Sequence, residues 1–418
     1  MNWIQLIRLF RTIYAGNPPN IAFIQEMGLL AVKIGQTYAQ RADFLSIHSC
    51  RELAKLYRQT DPAPPDDVDS LIKNIGIPAW EESFKELEST PFASASVGQV
   101  HRGQLKTGET VVAKLVKQPF HASFDRDVRS VRRLLRFAVL CYPKLARVAD
   151  PLGTLASIEA TTLAELDLTH EARGQEKLRR IYREHRSKYN LAKLKFPKIH
   201  AQLSNQNVLV SEFIEAPTFD ELLESQSLSY QSLLDLFEIH GFFLFCVGTF
   251  HGDIHPGNIM LQGEDIVFLD CGAISSVPQN MRVGVFRFFD AIVRAQFDEA
   301  ARALESMSRH PLASRARETF TQEFRDLYSG FLGKSVAELS LTKQMMQTIR
   351  LAVDHGMDFE TGMYPIIKSL MYLDGMALRC APDTDLMADL KPFLDRFRPF
   401  VTPAASSPAP TGTLISTC

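Results

Sequence analysis

Asp253 and Asn258 stand five residues apart in HGDIHPGN, and Asp270 follows at the end of the apolar run IVFLD, twelve residues beyond Asn258. Two carboxylates and an amide are hard oxygen donors, the kind Mg²⁺ accepts beside phosphate oxygens. Phosphoryl transfer asks little covalent work of a protein. It needs metal to neutralise phosphate charge, a carboxylate to orient or deprotonate the nucleophile, and a lysine on the phosphates. H-x-D-x-x-x-x-N followed by D-x-G is the pattern of a kinase catalytic loop and its metal motif. Asp253 would orient or deprotonate the nucleophile, and Asn258 and Asp270 would hold metal. Gly272 would permit the sharp turn after Asp270. One motif alone leaves a polar surface loop as the minority alternative. Two in order, joined by an apolar strand, argue for the site.

The upstream half should then hold a phosphate-covering loop and a lysine. Against G-x-G-x-x-G-x-V the chain has Ala93, Ser94, Ala95, Ser96, Val97, Gly98, Gln99 and Val100. Alanine replaces the first two glycines, while Gly98 and Val100 keep their places. Backbone N–H groups can still face phosphates, but the added methyl groups crowd the loop, so altered nucleotide handling is expected. Lys114, in VVAK, stands where a kinase carries its strand lysine. ELDLTHEARG offers it acidic partners in Glu165, Asp167 and Glu171. Glu165 and Glu171 are six residues apart, so on one helix they face different ways and can serve different partners. Glu212 and Phe213 are added to the nucleotide-binding set.

These residues need elements to position them. The 418-residue chain has 45% hydrophobic residues, enough for a large core. Its net charge of −2 gives no global signal for nucleic acid. Residues 21–58 have helical periodicity, closed by the proline cluster DPAPPDD, and a short helical segment follows over Val68–Ile75. From Pro91 two strands turn at Thr107-Gly108. Helical stretches follow over 122–140 and 152–188, then strand texture in FPKIHAQLSNQNVLVSEFIEA. From about 217 the pattern is helical, broken by IVFLD. This order predicts a two-lobed enzyme with a nucleotide-sized cleft. The Pro/Ser/Ala/Thr-rich tail reads as disordered.

Six dispersed cysteines, Cys50, Cys141, Cys246, Cys271, Cys380 and Cys418, form no metal or disulfide pattern and read as reduced thiols of a cytoplasmic protein. No run is long and apolar enough for a membrane span. Trp3, Ile7, Phe10 and Tyr14 form one helical stripe, either a membrane-surface face or an ordinary core face. Between Arg173 and Lys198 there are ten Lys/Arg and two Glu, a local net of +8. A solvated helix face is the default, an anionic lipid surface the sharper reading, and thin aromatic interleaving leaves no strong nucleic-acid signal.

The motifs together resemble the UbiB/ADCK/AarF family of atypical protein-kinase-like proteins. ASASVGQVHRG, VVAKLVK, ELDLTHEA, HGDIHPGNIM and FLDCGAIS match in order, and KIGQTYAQRADFL and QTDPAPP resemble the family's N-terminal signatures. The resemblance covers about residues 25–380. It implies an α+β, two-lobed protein-kinase-like fold: a helical N-terminal extension with the KxGQ motif over 1–90, a strand-rich N-lobe with inserted helices over 91–216, a helical C-lobe over 217–400, and the tail over 401–418. It implies that Lys33, with Gly35 and Gln36, lies in an extension folding over the cleft, that Lys33 pairs with Glu165 and Asp167, and that Glu171 faces Lys114. It also implies ATP or ADP and Mg²⁺ as cofactors, ATPase or kinase-like activity, a lipid or quinone-pathway partner, and a role in ubiquinone or other isoprenoid-lipid metabolism. Cys271 departs from the commoner DFG, and the transmembrane helices of some relatives have no counterpart, so any membrane contact would be peripheral. An aminoglycoside- or choline-type small-molecule kinase shares HGDxHxxN but lacks KIGQ and the alanine loop. A non-catalytic ATP-binding scaffold is the third reading, disfavoured by intact Lys114, Asp253, Asn258 and Asp270.

Overall fold

A computed structural model of the protein describes residues 1–15, 18–39, 45–57, 72, 75–77, 80–94, 97–117, 120–142, 151–359 and 362–401. The DPAPPDD cluster, nearly all of Val68–Ile75, part of KIGQTYAQRADFL, and the tail after Val401 lie outside the described residues. The chain divides into two compact units: residues 1–176 with 197–214, and residues 177–196 with the chain from 215 onward. The helical periodicity of 152–188 does not reveal the first crossing. It follows from packing, because Leu178, Ile181, Tyr189, Leu191 and Leu194 are buried in the second unit's core.

The first unit opens with α1 (Trp3–Ala15), α2 (Ile21–Glu26), α3 (Leu29–Ala39) and α4 (Ile47–Ala54). Gly28, between α2 and α3, has φ +92, a conformation glycine takes without a Cβ penalty. α5 (Trp80–Ser83) runs into β1 (Phe84–Leu87), so the first strand precedes residue 91. Then come β2 (Ala93–Ser94), β3 (Gly98–Leu105), β4 (Thr110–Val116), α6 (Phe120–Cys141), α7 (Pro151–Glu165) and α8 (Thr169–His185). The chain passes through β5 (Leu194–Lys195) and returns as β6 (Val208–Glu212). The antiparallel sheet has neighbour order β1-β3-β4-β6, with β2 on β3. β3 and β4 turn at Thr107-Gly108 as the sequence predicts, with Gly108 at φ +88.

Alternation along β4 sets the position of Lys114. Val111, Ala113 and Leu115 pack with Trp80, Phe84, Leu105, Val208 and Val210 on one side of the sheet. Lys114 falls on the opposite face by the two-residue period. α1 packs through Leu6, Leu9 and Ile13, a stripe different from the one the sequence singled out. Trp3, Ile4, Ile7 and Tyr14 are left exposed.

The second unit holds α9 (Phe219–Glu224), α10 (Tyr230–Gly241), β7 (Thr249–His251), β8 (Ile259–Gln262), β9 (Asp265–Phe268) and β10 (Ile274–Ser276). Helices α11 (Gln279–Ile292), α12 (Phe297–Glu305), α13 (Ser314–Tyr328), α14 (Leu341–Asp354), α15 (Met363–Cys380) and α16 (Leu386–Val401) complete it. α10 widens into a π-helical turn over Phe242–Val247, ended by Gly248 at φ +81. Arg282 donates to the carbonyls of Phe245 and Cys246 at 2.8 and 2.9 Å, satisfying groups this helix end leaves open. Among the described residues, no helix is long and apolar enough to cross a membrane.

Candidate functional site

The second unit fixes Asp253, Asn258 and Asp270 on one hydrogen-bonded frame. β7 pairs with β10, and β8 with β9, so the two motif loops lie between strand pairs. Three bonds close the gap between the loops. His251 Nε2 meets Leu269 O at 2.8 Å, Leu269 N donates to Asn258 O at 2.9 Å, and Gly252 N donates to Ala273 O at 2.8 Å. Asp253 N donates to His251 Nδ1 at 3.2 Å, so the ring proton sits on Nε2 and is given to Leu269. Burial pushes the His251 pKa down, so the imidazole is a neutral strut. Asn258 Nδ2 donates to Asp253 O at 3.0 Å, which leaves its amide oxygen as the atom for a cation. Asp270 has φ 44 and ψ 59, a left-handed conformation rare outside glycine, held just before the buried Cys271. The donors of Asn258 and Asp270 are carboxylate and amide oxygens, which fit a hard divalent cation. Among the described residues, no cluster of three His, Cys, Asp or Glu forms a complete metal cage.

Gly252 is required by the close approach of the two loops. A Cβ there would lie 2.4 Å from Ser275 Oγ and 2.6 Å from the Ala273 backbone oxygen. Backbone cannot yield as a flexible side chain can. Gly252→Ala is therefore expected to destabilise the protein by about 2–3 kcal/mol and to misplace Asp253 against Asp270. Thermal unfolding would show the drop, and an unchanged midpoint would contradict it.

Behind this frame His240 is buried edge-on to Phe250, and neither ring nitrogen has a hydrogen-bond partner among the described residues. Burial, with His251 nearby, lowers its pKa from 6.5 to about 3. The native state thus holds it neutral while the unfolded chain takes a proton below pH 6.5. The sign is destabilisation on acidification: stability is present above the unfolded pKa and falls by about 1.4 kcal/mol per pH unit below it. His240→Phe should flatten this slope by about one proton. Denaturant midpoints between pH 6.5 and 4.5 test it, and an equal slope in both proteins would refute it.

In the first unit two lysines divide the acidic residues. Lys114 Nζ lies 2.6 Å from Glu171 Oε2, with both side chains largely buried. Lys33, buried on α3, pairs with Glu165 at the last residue of α7. The chain breaks between α7 and α8, so one continuous helix does not carry both glutamates. The resemblance implied that Lys33 would also meet Asp167. Instead Asp167 accepts from Thr169 N at 3.0 Å and Thr169 Oγ1 at 2.7 Å, starting α8. Gly35 lets α3 approach Leu56, whose Cδ1 would stand 2.5 Å from an added Cβ. Gln36 Nε2 donates to Leu56 O at 2.9 Å, tying α3 to the turn after α4.

The alanine-rich loop begins and ends in the sheet: Ala93 pairs with Val100 and Ser94 with Gln99. Ala95 and Ser96 lie outside the described residues. Val97 O accepts from Lys117 N at 2.9 Å, and Gly98 lies across from Val116. At the end of β6, Glu212 N donates to Lys198 O at 2.8 Å and Phe213 N to Thr110 O at 3.2 Å. An adenine at this strand would therefore need their carbonyls or later backbone groups. The Phe213 ring lies under the Arg102 guanidinium, 4.5 Å from its centroid.

Sequence reasoning missed two lysines. Lys117, buried, donates to Ser94 Oγ at 2.7 Å and braces the alanine loop. Lys368, on α15, lies 2.8 Å from Asp253 Oδ1. VVAKLVK could have suggested the first; no motif marks the second. The basic stretch is partly spent internally: Lys177 donates to Ser276 Oγ at 2.9 Å, and Lys193 lies 2.6 Å from Asp235.

A sheet-bearing unit with a Lys–Glu pair, and a helical unit with the two motif loops, define a kinase-like α+β protein of two lobes. The model of the ABC1 atypical kinase-like domain matches residues 55–304, and the chain belongs to that family. It is 27% identical over 383 residues to a probable protein kinase UbiB of Pseudomonas paraeruginosa, covering 90% of this chain and 70% of the relative. A probable protein kinase UbiB of Vibrio cholerae is likewise 27% identical over 385 residues, covering 90% and 69%. Among solved structures, the complex of Rv3197 with erythromycin from Mycobacterium tuberculosis aligns with a TM-score of 0.51 at 18% identity, covering 92% of each chain.

Proposed function

We propose that the protein is a magnesium-dependent ATP-binding phosphotransferase or ATPase, acting in ubiquinone or other isoprenoid-lipid metabolism at a membrane surface. The observation that carries the reading is the rigid frame that unites Asp253, Asn258 and Asp270. Lys114, oriented by Glu171, would reach the nucleotide phosphates. Asn258 and Asp270 would hold Mg²⁺, which when bound neutralises phosphate charge. Asp253 would accept the proton of the attacking hydroxyl, whether from water or another acceptor. The quinone or isoprenoid setting rests on the family resemblance.

Exposed side chains support the membrane part. α1 presents Trp3, Ile4, Ile7 and Tyr14, and the end of α6 presents Phe137 and Leu140 beside Arg133 and Arg136. Apolar and aromatic groups flanked by arginines suit the boundary of an anionic bilayer. The test is ATP hydrolysis by the purified chain in Mg²⁺, with and without anionic vesicles. Hydrolysis that requires Mg²⁺ and rises with vesicles is expected. Nucleotide binding without hydrolysis in either condition would replace this reading with the scaffold.

A further inference from the structure

The loop His251–Asn258 contains no lysine or arginine. Its two imidazoles cannot readily substitute. His251 is a buried neutral strut, and His255 Nδ1 accepts from Gly257 N at 3.0 Å. Yet transfer of a phosphoryl group at Asp253 would bring a multiply charged anion toward a carboxylate. Like charges at such distances repel strongly where solvent is thinned. A cation is needed there that the loop lacks.

Lys368 is placed to supply it. Its Nζ lies 2.8 Å from Asp253 Oδ1, an ion pair without hydrogen-bond alignment at that buried oxygen, with side-chain exposures of 22% for the lysine and 34% for the aspartate. The same ammonium sits 5.7 Å from the centroid of Tyr372, one helical turn on, and the Tyr372 ring packs edge-on to His255 at 5.3 Å. The lysine is thus held between the carboxylate and an aromatic face that is braced on the catalytic loop. An ammonium has three N–H donors. Asp253 is its sole charged partner among the described residues, and partial exposure leaves its other donors a path to a ligand. A surface ion pair would need neither the aromatic brace nor a partner inside the catalytic loop.

We propose that Lys368 is a catalytic cation that bridges the Asp253 carboxylate and an oxygen of the transferred γ-phosphoryl group. This rests on the ATP phosphotransfer reading above. As the acceptor oxygen bonds to Pγ, the Pγ–O bond to ADP breaks and its electron pair leaves on the ADP β-phosphate. The acceptor proton passes to the second carboxylate oxygen of Asp253. Lys368 holds Oδ1 and steadies the charge on the equatorial phosphoryl oxygens, the place where such stabilisation acts most in phosphoryl transfer.

The test compares Lys368→Met and Lys368→Arg with wild type in Mg²⁺, measuring Kd for ADP and for a non-hydrolysable ATP analogue, hydrolysis rate and Tm. For Lys368→Met, Tm and the ADP affinity should hold. The affinity advantage of the triphosphate should shrink about tenfold, and kcat should fall about 100-fold. Lys368→Arg should restore much of both. A folded Met variant with its triphosphate preference and kcat within threefold of wild type overturns the assignment. Equal loss of ADP and triphosphate binding also overturns it, because that is the signature of a structural clamp. If the Met variant does not fold, Asp253→Asn serves: it should lose turnover yet keep the triphosphate preference that Lys368 confers, and loss of that preference overturns the proposal. A wild-type protein that binds no magnesium nucleotide overturns the phosphotransfer reading itself, and this assignment with it.

Discussion

Asp270→Asn is expected to abolish Mg²⁺-dependent ATP hydrolysis, a loss of at least about a thousandfold, without unfolding the protein. Two features separate chemistry from folding here. The backbone at Asp270 is left-handed, at φ 44 and ψ 59, and asparagine is among the few residues that accept that region readily. The substitution is nearly isosteric, so the buried Cys271 and the bond from Leu269 to Asn258 should survive. What is lost is one negative charge at the cation. A metal acting as Lewis acid on a phosphoryl oxygen supplies several kcal/mol of transition-state stabilisation, which corresponds to about three powers of ten. Hydrolysis rates across a magnesium titration, beside circular dichroism and Tm, decide the matter. A variant that retains a tenth of the wild-type rate at saturating magnesium would remove Asp270 from the metal site.

Lys114→Met should lower kcat/KM by about 100-fold or more and also reduce stability. The lysine lies 2.6 Å from Glu171, and its removal leaves that carboxylate, 13% exposed, without its cation. Removing one partner of a fully buried pair costs about 3–5 kcal/mol; the residual exposure of both partners brings the expectation nearer to about 2 kcal/mol. The companion Glu171→Gln separates the effects. It takes the carboxylate from the largely buried Lys114 ammonium, so its stability loss should be comparable to that of Lys114→Met, but because the lysine itself remains, turnover should fall less. Equal turnover in wild type and both variants would mean that this pair is structural.

Parts of this were legible in the sequence for definite physical reasons. Strand alternation and the Thr107-Gly108 turn announce β3 and β4, because period two and a left-handed glycine are local properties. HGDIHPGN and FLDCG announce the two loops because chemistry fixes residue type and spacing together. Local signals could not show where the chain changes unit. Residues 177–196 have the same helical texture as those before them, and only their partners place Leu178 and Tyr189 in the second core. The stripe Trp3, Ile7, Phe10 and Tyr14 was visible as amphipathic, but α1 buries Leu6, Leu9 and Ile13, and of the stripe Phe10 packs partly buried against the core. Both sets repeat at helical spacing, so periodicity alone does not choose between them. Lys368 was invisible, being one lysine on a helix remote in sequence from Asp253.

The joint between α7 and α8 has a consequence for how the chain can change length. Leu166, Asp167 and Leu168 separate the glutamate that serves Lys33 from the helix that carries the one serving Lys114. Both leucines are buried, and Leu166 N and Leu168 N are bonded at 3.0 Å to Thr162 O and Gln206 O. The segment has no slack to absorb an extra residue. A single insertion or deletion would displace the start of the following helix by up to about 3.5 Å, the reach of one residue, against the contacts that Leu166 and Leu168 make. Glu171 would swing away from Lys114 even with every side chain of the site still encoded. Homologous chains can therefore drift in composition at this joint far more easily than in length.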